Sequence, residues 1–92
     1  MSADEAREQL RLLKGWELSD DGTAITKSWS RKNFMDCMAF LNKIADVAEA
    51  EQHHPDMHLT GYKNVRIALT THAIDGLSEN DFILAAKIDE AA

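Results

Sequence analysis

This chain contains few of the residues that mark exported, membrane-spanning or disordered proteins. A single cysteine, Cys37, cannot form a disulfide within the chain. No apolar run approaches the roughly 18 residues that a membrane span requires, and the first residues, MSADEAREQ, contain no apolar signal segment. With one proline and four glycines, the 92 residues include no linker or low-complexity tract. These absences predict a cytoplasmic protein with one domain over residues 1–92.

Basic residues are also scarce. The sequence has 10 Lys and Arg against 16 Asp and Glu, and its net charge is −6. Proteins that bind nucleic acid backbones gain affinity from Lys and Arg side chains that neutralise phosphates, so we expect no direct binding to nucleic acid. Apolar side chains, by contrast, make up 45% of the residues, which is enough for a modest core in a domain of this size.

The spacing of the apolar residues predicts seven elements in the order αββαββα. Amphipathic periodicity and N-capping residues predict helices over three ranges: 2–13, 33–52 and 78–89. Alternation and turn residues predict strands over four ranges: 16–19, 24–30, 57–62 and 64–72. The strands are joined in pairs by short turns, and one of their faces is polar. We therefore predict an α+β fold in which helices cover one face of a four-stranded antiparallel sheet.

The predicted helix over residues 33–52 has a wide apolar face. At 100° per residue, the stripe that contains Phe34 and Leu41 lies beside a second stripe that contains Phe40 and Val47. Together the stripes span roughly 180°, whereas a surface helix needs only about 100° to pack on one sheet. A second subunit would cover the excess, so we expect a homodimer or homotetramer in which a charge at Phe40 or Val47 weakens assembly more than it alters the predicted strand hairpin. A wider core face within one subunit is the alternative.

The histidines are concentrated in one part of the chain. All four lie between positions 53 and 72, and His53, His54 and His72 fall at predicted ends of elements, where a scaffold commonly presents reactive groups. Glu49 precedes His53 by four residues, so on a helix its carboxylate would orient the imidazole and favour the protonated form. The helix dipole acts in the same direction. His53 is therefore a candidate proton donor, or simply a partner of the dipole.

Two further patterns have both a structural and a functional interpretation. Asp81 is the third residue after Ser78, the predicted N-cap of the last helix, so it completes a capping box with Ser78 and is also available to orient a histidine. A metal site could draw on a group of polar side chains: His53, His54, Asp56 and His58. That group matches no structural zinc spacing, and the only cysteine is distant in sequence. We therefore predict no metal.

One set of spaced residues resembles the signature of a known family. In order, the chain contains Glu49, three residues, His53-His54-Pro55, six residues, Tyr62, nine residues, His72, eight residues and Asp81. This spacing resembles the signature of the pterin-4a-carbinolamine dehydratases at every fixed position. Four further segments also resemble that family: Gly15-Trp16, Lys32-Asn33-Phe34, Thr70-Thr71-His72 and Gly76-Leu77-Ser78-Glu79. The resemblance therefore covers nearly all of the chain.

The resemblance implies an enzyme that dehydrates a 4a-hydroxytetrahydropterin to quinonoid dihydropterin, in support of an aromatic amino acid hydroxylase. The pterin is then the substrate, and no cofactor is implied. One group must protonate the leaving hydroxyl while another accepts a proton from a ring nitrogen, which two imidazoles can do near pH 7. By similarity, His53 and His72 are the acid and base in either order. The resemblance also implies roles for five other residues. His54 would fix the pterin, Thr70 and Thr71 would border it, and Trp16 would form a wall of the pocket. Asp81 would orient a histidine.

The same resemblance leaves open a function of a different class. Animal members of the family also serve as dimerisation cofactors for a homeodomain transcription factor, with the long helix as the contact surface. A chain that acted only as such a binding module would not need to keep His53, His54 and His72 together. All three are present here, which favours the enzyme.

Overall fold

The computed structural model describes all 92 residues and contains three α-helices and four strands. The helices are α1 (Ala3–Leu10), α2 (Phe34–Glu51) and α3 (Glu79–Ala91). The strands are β1 (Glu17–Leu18), β2 (Ile25–Ser30), β3 (Asp56–Thr60) and β4 (Asn64–Leu69). The αββαββα order agrees with the predicted one, and a 3₁₀ turn at His72–Ile74 is added before α3.

The four strands form one antiparallel sheet in the order β1-β2-β4-β3. Successive residues of a strand point to opposite faces. In β4, Val65, Ile67 and Leu69 are buried, whereas Arg66 between them is exposed, as is its β2 partner Ser28. The helices therefore cover one face and leave the other open, which confirms the predicted α+β architecture.

The core lies between the covered face of the sheet and the helices α2 and α3. The Trp29 ring packs edge-on between Trp16 and Phe40, with ring centroids 5.9 and 5.0 Å away. Phe40 is only 1% exposed within one subunit. The expectation that a charge at Phe40 would weaken assembly more than it alters the hairpin is therefore wrong, because Phe40 packs directly on Trp29 of β2 and a charge there would disrupt this core first.

Several element ends differ from the predicted ones. The first helix stops at Leu10 rather than residue 13, and Gly15 follows with a φ of 83°, a conformation that favours glycine. The strand β4 ends at Leu69, short of the predicted residue 72, because Thr71 pairs its backbone with Gly76 instead of with a neighbouring strand. None of the helices is both long enough and apolar enough to span a membrane.

Candidate active site

His53 lies just beyond the end of α2 rather than on the helix. The residue before it, Gln52, adopts the left-handed conformation with a φ of 54°, and the His53 N–H donates to the carbonyl of Ala48 at 3.1 Å. This arrangement ends the helix and turns His53 away from the direction that helical geometry would give it. The prediction that Glu49 orients His53 is therefore wrong. The Glu49 carboxylate lies 3.5 Å from His54 instead, and both side chains are largely exposed.

The partner of His53 is Asp81, which is 28 residues away in sequence. The His53 Nε2 and Asp81 Oδ1 atoms are 2.5 Å apart. The His53 side chain is 14% exposed, whereas Asp81 is fully buried. Asp81 also accepts a hydrogen bond from the backbone N–H of Ser78 at 3.0 Å, which caps α3. The carboxylate thus has both roles named for it above: it caps the helix and it orients a histidine.

A second pair of side chains supports Asp81 from the other side. The Thr71 hydroxyl donates to Asp81 Oδ2 at 2.8 Å, and the Ser78 hydroxyl lies 2.7 Å from the same Thr71 oxygen. These four residues form a continuous network from Ser78 through Thr71 and Asp81 to His53. The contact between Ser78 and Thr71 could not be predicted from the sequence, because the capping spacing of Ser78 and Asp81 says nothing about a third partner from another element.

His72 follows Thr71 directly and opens the 3₁₀ turn, so it does not close a strand as predicted. The Thr71 N–H donates to the Gly76 carbonyl at 2.8 Å, and the Gly76 N–H donates to the Thr71 carbonyl at 3.4 Å. These two hydrogen bonds close a short loop over residues 71–76. His72 is exposed on this loop. Because Thr71 contacts Asp81, the network that holds His53 ends one residue before His72 along the chain, and His54 directly follows His53.

The hydroxyl of Thr70 has a structural partner. It donates to the carbonyl of Thr23 at 2.6 Å and lies 3.4 Å from the Gly76 carbonyl oxygen. Each hydroxyl group has only one proton. The protons of both Thr70 and Thr71 are thus given to protein acceptors, and neither hydroxyl can donate to a bound ligand in this arrangement.

Trp16 does not wall this site. It is 6% exposed, and its indole N–H donates to Asp89 Oδ2 at 3.1 Å. Asp89 lies eight residues beyond Asp81 on α3, which is about 12 Å along the helix axis. The prediction that Trp16 walls the pocket is therefore wrong. The large ring is buried in the core near the far end of α3.

Two surface grooves are lined by other parts of the chain. One groove, of about 430 Å³, lies between α2 and α3. The other, of about 350 Å³, lies between α3 and residues 9–13, at and just after the end of α1. None of the three histidines His53, His54 and His72 lines either groove. The histidines therefore lie apart from both grooves, with His54 and His72 open to solvent.

The remaining histidine, His58, belongs to the strand β3. Its pairing with Arg66 places it on the open face of the sheet, as the pairing with Ala68 does for Asp56. His53 faces Asp81 instead. No three His, Cys, Asp or Glu side chains cluster as potential ligands of one metal ion.

Comparison with known proteins adds a family to this geometry. A sequence profile described as "Pterin 4 alpha carbinolamine dehydratase" matches residues 1–91. The Arabidopsis thaliana protein named "Pterin-4-alpha-carbinolamine dehydratase 2, mitochondrial" is 48% identical over 92 residues. The alignment covers 98% of this chain but 49% of the Arabidopsis protein, so the chain spans about half the length of that relative.

Solved structures are similar over comparable lengths. A crystal structure described as a "transcriptional coactivator/pterin dehydratase from Brucella Melitensis" matches with a TM-score of 0.92 and 35% sequence identity, over 100% of this chain and 97% of that one. A pterin dehydratase-like protein, described as a RuBisCO assembly factor in the alpha-carboxysome, matches with a TM-score of 0.71 and 23% identity, over 85% of this chain and 89% of that one. The second likeness shows the fold alone.

Proposed function

Because the chain belongs to the pterin 4 alpha carbinolamine dehydratase family, we propose that it dehydrates a 4a-hydroxytetrahydropterin to quinonoid dihydropterin. The bond between C4a and oxygen breaks, the hydroxyl leaves as water with one added proton, and a ring nitrogen loses one proton. No electrons pass to another molecule, so the step needs no redox partner. What it needs is a general acid and a general base, each worth about 10² to 10⁴-fold in rate.

The observation that carries this proposal is the pairing of His53 with a buried carboxylate next to the loop that presents His72. A carboxylate that holds an imidazole fixes the orientation of the ring, as in hydrolytic triads. His53 and His72 are then the acid and base, in either order. His54, exposed beside His53, would fix the pterin ring.

Two imidazoles provide both proton transfers, so the proposal includes no metal and no cofactor other than the pterin substrate itself. The product belongs to the recycling of tetrahydropterin, and the enzyme would therefore serve an aromatic amino acid hydroxylase. The single cysteine, Cys37, is free and fully buried, which suits a reducing compartment. We accordingly place the activity in the cytoplasm, and fractionation of the source cells would test that location.

The proposal is tested by a coupled assay in which a hydroxylase generates the carbinolamine. His53→Ala and His72→Ala should each lower the dehydration rate above the spontaneous background by about 10 to 10³-fold, because one positioned proton-transfer group is lost and the other remains. The double variant should lose less than the product of the single losses, since the two groups act in one event. A metal chelator should leave the rate unchanged.

His58→Ala is the matched control, because it removes an exposed imidazole from the open sheet face and should keep the wild-type rate. If both single variants at His53 and His72 also kept that rate, the acid and base assignment would be wrong. An inactive wild-type protein would instead favour the binding-module alternative, and sensitivity to the chelator would favour a metal site.

A further inference from the structure

The carboxylate of Asp81 is surrounded by hydrogen-bond donors on both of its oxygens. Oδ2 receives the Ser78 backbone N–H at 3.0 Å and the Thr71 hydroxyl at 2.8 Å, and Oδ1 faces His53 Nε2 at 2.5 Å. Asp81 is fully buried, and no buried polar side-chain atom in the protein is left without a partner. A buried carboxylate requires such donors. Because two of them act on Oδ2, they also determine which way Oδ1 points.

The direction of each hydrogen bond in this network follows from counting protons. A carboxylate can only accept, so the single hydroxyl proton of Thr71 is donated to Asp81. The Ser78 hydroxyl, 2.7 Å away, must then donate its own proton to the Thr71 oxygen. By the same reasoning, the His53 Nε2 atom carries a proton and donates it to Asp81. In the neutral ring, the other nitrogen, Nδ1, is left free to exchange a proton.

Thr71 is also held through its backbone. Its N–H and carbonyl pair with Gly76 across the loop that carries His72. The side chain and the main chain of one residue thus tie the carboxylate behind His53 to the loop that presents His72.

We propose that Thr71, supported by Ser78, is a positioning residue that orients Asp81 so that His53 keeps its proton on Nε2 and presents Nδ1 to the substrate. This inference rests on the proposed function, since it assigns the atom of His53 that exchanges the proton. It differs from the role that the family resemblance implies for Thr71, which is to border the pterin. Here Thr71 acts through Asp81 and His53, with its proton turned inward.

The test compares two substitutions of Thr71 that differ in the hydroxyl group. Thr71→Val keeps the branched shape but removes the hydroxyl, whereas Thr71→Ser keeps the hydroxyl and removes a methyl group. The first should lower the dehydration rate roughly 10-fold, a part of what one positioned proton-transfer group contributes, and the second should restore most of the rate. Circular dichroism and the urea midpoint of each variant report whether the fold is kept.

A readout without substrate separates positioning from general loss of structure. In full-length protein labelled with ¹⁵N, the two ring nitrogens of neutral His53 are distinguishable by NMR, and the spectrum reports which one carries the proton. We expect Nε2 to carry it in the wild-type protein and in Thr71→Ser, and a mixture of both tautomers in Thr71→Val. Ser78→Ala, which keeps the backbone donor and the Thr71 hydroxyl, should show a smaller change and replaces Thr71→Val if that variant fails to fold.

Two results would overturn the inference. One is a wild-type His53 with its proton on Nδ1. The other is a folded Thr71→Val, or Ser78→Ala in its place, with the wild-type tautomer and the wild-type rate. The NMR measurement does not depend on the reaction. A protein without dehydratase activity but with the expected tautomer shifts would therefore refute the proposed function while supporting the arrangement of Thr71, Asp81 and His53.

Discussion

Trp16 illustrates how one polar atom of a core side chain is satisfied. Its ring packs against Trp29, and its N–H group donates to Asp89. The second carboxylate oxygen of Asp89 accepts a hydrogen bond from the Lys27 ammonium group at 2.8 Å. The Lys27 side chain thus extends along the covered face of the sheet, and its ammonium group pairs with the Asp89 carboxylate. The interaction joins the strand β2, the segment before β1 and the helix α3 in a single cluster.

Trp16→Phe should destabilise the protein by about 1 to 2 kcal/mol more than Trp29→Phe. The first change removes a hydrogen bond to a charged acceptor, whereas Trp29 contacts Trp16, Phe40 and Lys27 through its ring. The two changes remove similar volumes from the same aromatic cluster, so their difference isolates the hydrogen bond. Urea unfolding of both variants measures it, and equal losses of stability would show that Asp89 contributes nothing through Trp16.

The start of the helix α2 is stabilised by a compact set of polar contacts. The Asn33 side chain caps the helix by accepting the N–H of Asp36 at 2.8 Å. The Asp36 carboxylate in turn accepts the N–H of Lys32 at 3.0 Å and both the Nε and Nη2 groups of Arg31. The backbone N–H of Lys32, followed by the Arg31 side chain, holds the pKa of Asp36 below its ordinary value of 3.8.

Because the pKa of Asp36 is lowered, we expect the stability that this residue contributes at the start of α2 to depend on pH. A carboxyl group with a lower pKa in the folded protein stabilises it fully above the unfolded value of about 3.8, and the contribution disappears as the pH falls through the folded value. Asp36→Asn should therefore be less stable than wild type near pH 7 but nearly equal to it near pH 2. Urea midpoints across this range measure the difference.

Asp46→Asn is the control for that experiment, since Asp46 is exposed on the same helix. Its difference from wild type should change little over the same pH range. Asn33→Ala removes the N-cap side chain that accepts the Asp36 N–H. It should lower the free energy of unfolding by about 1 kcal/mol at neutral pH, as is common for the loss of an N-cap. A pH-independent effect of Asp36→Asn would contradict the assignment.

An apolar stripe of α2 is left partly uncovered when the chain is considered alone. Phe34 is 49% exposed, and Met38, Leu41 and Ala45 on the same stripe are half-buried. The stripe borders the face that packs on the sheet and so continues the core onto the surface. A second copy of the chain is the cover that the sequence pattern predicted, and the homodimer or homotetramer stays a prediction.

Sedimentation should therefore give a species heavier than the 10.3 kDa of one chain at micromolar concentration. Leu41→Glu should shift this species towards the monomer, because a charge on the stripe would be buried in the assembly without a partner. Ala39→Glu adds the same charge at an exposed position of the helix away from the stripe and should leave assembly unchanged. A wild-type protein that sediments as a monomer would refute the prediction.

The amphipathic patterns were sufficient to predict the number, type and order of the elements. Helix and strand periods are local properties, since they depend only on which neighbouring residues share a face. The alternation of buried Val65 and Ile67 with exposed Arg66 likewise predicted which face of the sheet the helices cover. The ends of elements were harder to predict, because at the strand β4 the pairing of Thr71 with Gly76 competed with extension of the sheet.

The histidines show which part of the site required tertiary structure. Their positions near the ends of elements could be read from the sequence, but the partner of His53 could not. A spacing of four residues makes Glu49 and His53 neighbours only while the backbone between them stays helical, and Gln52 departs from that conformation. Asp81 reaches His53 because the packing of α3 against α2 brings together residues that are 28 positions apart. Such a contact depends on the path of the whole chain, which no local pattern contains.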